Sequence, residues 1–373
     1  MKKIYTIPFL VTIVIKMGCE PYSKSYPALS NPKMYEANEY VSPTTNPDQV
    51  KVVTWNIRWG CGRLPWFIDS CGERALADYD SVKIILQKIA DSINVMDVDI
   101  LLLQEVDIES KRSGFIDQMQ FLLNNTNLNY GAYASMNEVD FAFLSGLGRM
   151  NTGNAILSKF KLTESERIKL RLRTDQSKIF QYAYGSRNIL KVKIPELSYG
   201  GNDFYALNIH AAAFATDDTK KQHINKYVET LLEIKNNNDF FVTGGDLNSV
   251  PPGSIIDFCE NDKCDGEECD GDYENNEAYQ ASYFDHFEGE PDILAPLYNS
   301  YNSAINLVDA NLPHNYSHAP STSLRRHNIK HDRKLSYLFT NKNWVDGASK
   351  THQSAWEISD HVPVSGIVVL ENR

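Results

Sequence analysis

Five apolar runs in this chain end in, or are preceded by, side chains able to hold a metal ion or a phosphate. VVTW leads to Asn56, ILLLQ to Glu105, YALNI to His210 and FVTGG to Asp246 and Asn248, while Asp360 and His361 stand just before VPVSGIVVL. Runs of this length and composition read as buried strands. In open α/β sheets ligands gather at strand ends. One polar strand end would be noise. Five, all of types that phosphate hydrolysis uses, require a fold that brings those ends together.

The rest of the pattern agrees. Further strands are expected at NAILS, ILKVKI and KLSYLFT. A helix is expected from Asp80 to Asn94, with Val82, Ile85, Ile89 and Ile93 on one stripe. A second is expected from about Asp217 to Lys235, capped by Asp217 or Asp218, with Ile224, Val228, Leu231 and Leu232 facing the core. There is no internal repeat, and strands interspersed with a few helices point to a layered α/β sandwich.

Hydrolysis of a phosphoester needs an activated water and neutralisation of negative charge. Magnesium takes one or two carboxylates plus waters and substrate oxygens. Glu105 is therefore the expected ligand of Mg2+, or of Mn2+ in its place, with Asn56 and Asp360 as further metal ligands. His361 is the expected general base, since imidazole titrates near neutral pH. His210 is expected to donate to a phosphate oxygen, Asp246 to align the water or hold a histidine, and Asn248 to bind the scissile phosphate. Arg187, in SRNIL, reads equally as a phosphate clamp or a solvated arginine. The remaining histidines, among them His223 and His318, read as structural.

TWNIRWG, LLLQEVD, GNAILS, ALNIHAA, GGDLNSVPPGS and SDHVPV occur in this order and resemble the motifs of the endonuclease/exonuclease/phosphatase superfamily. The resemblance runs from about Val52 to Leu370. It implies a deoxyribonuclease I-like α/β fold, a four-layer sandwich of two packed mixed β-sheets flanked by helices. One position departs from the pattern. Where the superfamily carries an aspartate, KLSYLF places Ser336. By the resemblance, that carboxylate orients the final histidine, and a hydroxyl cannot offset an imidazolium charge. Either His361 works less well, or another acid such as Asp332 compensates, or the chain is a binding protein that keeps the fold and metal site.

Three regions lie outside this pattern. Lys2 and Lys3, an apolar run from Ile4 to Ile15 and Gly18-Cys19 read as a signal segment over residues 1–18. Cys19 is then a candidate lipidation site, and the mature protein an exported, cell-envelope or secreted one. Residues 19–49, rich in Pro, Ser and Asn, read as a tether to a domain spanning 50–373. An acidic, Cys-rich insertion occupies about 259–292. From Cys259 to Asp292 there are thirteen Asp and Glu against Lys263 alone, and the remainder of the chain sits at +1. The insertion reads as a Ca2+ site, a disulfide-closed loop or a disordered segment. Near an active-site rim it would repel long duplex DNA. Cys61 and Cys71 are placed to staple the loop between them. The expected partner is a phosphate ester: nucleic acid, a lipid head group or an inositol phosphate. Nothing points to a protein partner.

Overall fold

In the computed structural model the polar-ended runs form two sheets stacked face to face. Residues 24–43, 47–67, 71–142, 146–177, 181, 185–213, 215, 217–254, 259–262, 264, 292–320 and 330–370 are described. The signal segment, Cys19 and most of the acidic insertion, with most of its candidate Ca2+ ligands, lie outside them, while Asp262 of that stretch pairs with Arg333 at 2.8 Å.

One sheet is built from β1 (Leu29–Ser30), β7 (Thr163–Lys169), β8 (Asn188–Lys193), β9 (Phe204–His210), β10 (Phe240–Asp246), β12 (Ser336–Thr340) and β11 (Asn302–Ser303), paired in that order. The other runs β13 (Asn343–Trp344), β15 (Val364–Val369), β3 (Gln49–Asn56), β4 (Ile100–Asp107), β6 (Gly148–Ser158), β5 (Tyr130–Ala142) and β2 (Lys33–Glu36), with β14 (Lys350–Thr351) also on β15. Each sheet contains one parallel pair at its centre. β3 and β4 run together with Asn56 beside Gln104, and β9 and β10 with His210 beside Asp246. The parallel direction puts the polar ends of each pair on one edge.

Three apolar layers explain the stacking. Val50, Val52, Ile100 and Leu102 of one sheet meet Val192, Phe204, Ala206 and Val242 of the other. On the outer face of the first sheet, Val53, Trp55, Leu101 and Leu103 pack under α1 (Tyr79–Met96) and α2 (Gln118–Asn125). On the outer face of the second, Leu207, Ile209 and Phe241 pack under α3 (Thr219–Asn236). The result is the expected four-layer sandwich. Strands β3, β4, β9 and β10 are covered on both faces, which is why their sequences run apolar without alternation.

The helices match their expected spans to within two residues. Asp78 caps α1, its carboxylate accepting from Ser81 N at 2.9 Å, and Val82, Leu86, Ile89, Ala90 and Ile93 form the buried stripe. In α3, Ile224 and Leu231 are buried as expected, but Leu232 is exposed, one position off the stripe. Among the described residues no helix is long and apolar enough to cross a membrane.

Two expectations are corrected. Part of the supposed tether belongs to the fold: β1 pairs with β7 and β2 with β5, and Tyr35 is buried. Both strands are edge additions of two and four residues, too short to show a period. The cysteines also pair differently. Cys71 bonds Cys264, 193 positions away, and Cys61 is a free, buried thiol. Cys61 instead packs with the core under α1, so the bridge ties the loop after β3 to the start of the acidic insertion.

Candidate active site

The two parallel strand pairs could have splayed apart at their polar ends. A buried amide bridge joins them. Gln104 Nε2 donates to Asn208 Oδ1 at 2.7 Å, and Asn208 Nδ2 donates to the carbonyls of Leu103 and Ala155 at 2.7 and 2.8 Å. Both residues are fully buried, so the Gln104 N–H and the Asn208 amide stay paired across the interface. Gln104 precedes Glu105 and Asn208 lies two residues before His210, so the bridge holds the two polar rims together. The signal for it was present, since each is a lone amide within an apolar run.

Local backbone then presents the side chains. The β4–β6 pairing shifts register between Leu103 and Val106, and Glu105 sits there with φ +55°. The bulge lifts it out of the ladder, and its side chain keeps 18% exposure between buried neighbours. Gly245, at φ +148°, lets β10 close on β9. A Cβ there would lie 1.8 Å from Ile209 O, so only glycine lets His210 and Asp246 meet. Asn248 has φ +47°; its N–H donates to Asp246 Oδ1 at 3.0 Å and its side-chain amide to Ala211 O at 3.1 Å. The Asx turn and the presentation of both side chains coexist.

Asp246 is the centre of the cluster. Its Oδ2 accepts from Asn56 Nδ2 at 3.0 Å and lies 3.4 Å from His210 Nε2 and 3.5 Å from His361 Nε2. The two imidazole separations exceed an ordinary hydrogen bond, as in many catalytic sites before substrate tightens them. Glu105 Oε1 lies 3.9 Å from His210 Nε2. Burial first, then the nearby Asp360 charge, pushes the Glu105 carboxyl up to about 8. Burial first, then Arg187 and the neighbouring histidines, holds His210 well below the usual imidazole range, so it is a neutral ring. The Nδ1 atoms of His210 and His361 are buried and make no hydrogen bond.

The other expected residues are nearby, in varied settings. Asp360 has both oxygens engaged, by Arg58 Nε at 3.1 Å and Ser359 Oγ at 3.1 Å. Burial alone would raise its carboxyl, but Arg58, with His361 and Arg63, holds it below the ordinary range. As placed, it braces the loop after β3, with one partner on each oxygen. Arg187 comes to the cluster through its Nη1, 3.5 Å from His210 O. Ser336 is directly across the β10–β12 ladder from Asp246, with its Oγ buried and unpartnered. Asp332 does not stand in for the missing aspartate: Arg333 takes both its oxygens, at 2.8 and 2.7 Å. The acid beside His361 is Asp246.

Among the described residues no three His, Cys, Asp or Glu side chains form a metal cage. Magnesium does not ask for one, since it keeps waters and shares substrate phosphates. A protruding Glu105, without an ion pair to a lysine or arginine and next to the Asn56 amide, fits such an open site.

The family model for the Endonuclease/Exonuclease/phosphatase family matches residues 53–361. The chain belongs to that family. Solved structures agree on the fold: an endonuclease/exonuclease/phosphatase from Beutenbergia cavernae superposes with TM-score 0.56 at 14% identity, covering 87% of this chain and 72% of that one. One from Bacteroides vulgatus gives 0.52 at 15% identity, covering 87% and 99%. No curated protein matches. Members of the endonuclease/exonuclease/phosphatase family are phosphoester hydrolases that typically use divalent metals. In this member, sequence reading missed two features. His318, read as structural, packs against His361 in a tilted arrangement with ring centroids 4.4 Å apart. Arg58, unremarked in TWNIRWG, is buried and holds Asp360. His223 is a satisfied core histidine, bonded to Ala212 N and Arg171 O.

Proposed function

We propose that this protein hydrolyses phosphate esters with the help of Mg2+ or Mn2+, acting outside the cytoplasm. The observation that carries the reading is the convergence of Asn56, His210 and His361 on Asp246 Oδ2 within 3.5 Å, with Glu105 alongside. Glu105 and Asn56 would hold the cation. When bound, it would neutralise phosphate charge and lower the barrier to attack by water. His361 takes the proton of the attacking water, with Asp246 beside it to favour the charged ring as it forms. His210, neutral by burial, donates an N–H to a phosphate oxygen. Asn248 and Arg187 orient the phosphate from the other strand end.

The substrate class is a nucleic acid, a lipid head group or an inositol phosphate, and the acidic insertion argues against long duplex DNA. Export is supported by the Lys2–Ile15 segment and by the Cys71–Cys264 bridge, because disulfides persist in oxidising compartments. Lipidation of Cys19 would anchor the protein, and Cys19→Ser would then release it from membranes. Wild-type protein that is wholly soluble and starts downstream of Cys19 would rule the anchor out.

Hydrolysis of bis-p-nitrophenyl phosphate with magnesium, abolished by chelator, tests the enzyme reading. A panel of DNA, sphingomyelin and inositol phosphates then ranks substrates. The second reading, a binding protein without turnover, rests on Ser336 and is favoured if no ester in the panel is cleaved while metal still binds.

A further inference from the structure

A cavity of 340 Å³ lies between the N-terminal segment and the strands β5, β6 and β7. Four cations line it: Lys24, Lys33, Arg149 and Arg167, against two carboxylates, Glu109 and Glu138. None of these residues belongs to the Asp246 cluster. Both carboxylates are already used, Glu138 by Lys24 at 3.3 Å and Glu109 by Arg149 at 3.1 Å, and Lys33 pairs with Asp117, outside the lining, at 3.8 Å.

Arg167 is the residue left over. It is 1% exposed, and its guanidinium is fixed from three sides. Nε donates to Ser135 O at 2.9 Å, Nη2 donates to Ser186 O at 2.8 Å, and the Tyr26 ring covers the plane at 4.1 Å. Its Nη1 is buried and makes no hydrogen bond, and no carboxylate among the described residues pairs with it. Directly opposite in the β1–β7 ladder is Ser30, whose Oγ is also buried without a partner. A trapped water could satisfy both polar atoms. It could not offset the charge, and a buried charge without a counter-ion is strongly unfavourable.

We infer that this cavity is a second anion site, which takes the phosphate group of a small phosphate compound. The lining side chains sum to +2, or +1 with the Asp117 that pairs Lys33, opposite in sign to phosphate, which carries about −1.5 to −2 near neutral pH. A planar guanidinium with a free N–H suits an oxyanion, and the lysines add point charges at the rim. The volume lies at the small end of ligand pockets. The site also explains the N-terminal segment: Lys24, Tyr26 and Lys33 come from it, so bound phosphate would fasten residues 24–36 to the sandwich.

The test uses the full folded chain without a divalent cation. Thermal melting is followed against inorganic phosphate and, separately, glycerol 3-phosphate, with sodium chloride at equal ionic strength as the control. Phosphate is expected to raise the melting temperature and slow proteolysis between residues 24 and 40 where chloride does not. Arg167→Met should weaken the apparent affinity about tenfold or more, as for loss of a charge-assisted hydrogen bond, and His361→Ala should leave it unchanged. If Arg167→Met does not fold, Lys24→Gln combined with Lys33→Gln should weaken it several-fold. A response to inorganic phosphate alone identifies the free ion, and a stronger one to glycerol 3-phosphate an esterified phosphate. Either supports the site. The inference is overturned if phosphate does no more than chloride, or if its effect survives Arg167→Met and vanishes with His361→Ala, which would place it at the catalytic cluster.

Discussion

Two buried regions of this protein are charged, and with opposite sign. Around Asp246 the strand ends bring together the carboxylates of Glu105, Asp246 and Asp360, and Glu105 has no lysine or arginine bonded to it. Around Arg167 the excess is cationic, and the guanidinium has no carboxylate. Each region leaves one charge unbalanced where burial makes that expensive. The difference teaches which ligand each is built for. The carboxylate-rich rim suits a cation that in turn recruits a phosphate, whereas the cationic cavity suits an anion directly. Only the first has histidines beside the unbalanced charge, so only the first can move protons.

The sharpest way to break this contrast is Glu105→Ala. Hydrolysis of a generic diester with magnesium should fall by about 10²–10⁴-fold, the range for losing a principal catalytic group, while circular dichroism and phosphate binding at Arg167 stay as in wild type. Wild-type turnover in this variant would mean that Glu105 is not the metal ligand.

The next effect is on stability. The Glu105 carboxyl stands at about 8 in the folded protein against 4.5 unfolded. Between those values the folded state holds a proton that the unfolded state has lost. This contribution is therefore fully present below about pH 4.5 and is lost as pH rises to about 8. In chelator, melting experiments should show roughly 5 kcal/mol of stability lost across that window. Glu105→Gln should remove this component, and magnesium should flatten it by compensating the ionised carboxylate. The arginine-centred cavity has no matching dependence, since guanidinium stays charged throughout. An identical pH profile for wild type and Glu105→Gln would refute the unbalanced-carboxylate picture.

Ser336→Asp sharpens the comparison by adding a carboxylate to the already acidic rim. The superfamily pattern puts an aspartate there, and the structure places position 336 directly opposite Asp246. Turnover is expected to rise about tenfold, part of the effect that an orienting carboxylate has on a catalytic histidine. The acid limb of the pH–rate profile should move to higher pH, because a negative neighbour favours protonated imidazole. If rate and profile are both unchanged, Asp246 already fills the role.

The smallest effect is expected at Ser30→Ala. Removing a buried hydroxyl that has no partner should stabilise the anion-free protein by up to about 1 kcal/mol, read by denaturant unfolding, and should reduce the phosphate-induced shift. Destabilisation without phosphate would show that Ser30 Oγ is satisfied in solution.

Much of the chemistry was written locally. The runs ending at Asn56, Glu105, His210 and Asp246 declared both strand and terminus, because a strand covered on both faces must be apolar until it leaves the core. Helices α1 and α3 were legible for the same reason, through a period that depends only on neighbours a few residues apart. The small strands β1 and β2 were not legible, because two to four edge residues carry no period and are held by the strands they join.

What only the tertiary structure decided is which distant groups meet. Ser336 faces Asp246 through ladder register, and His318 lies on His361 across a strand bridge. Cys71 reaches Cys264 rather than Cys61, because Cys61 is taken into the core under α1. Arg167 becomes a buried charge only when residues 24–36 fold over it. Sequence fixes patterns over a few residues, where backbone geometry is nearly constant. Pairing across a hundred residues depends on register and packing, and no local window contains either.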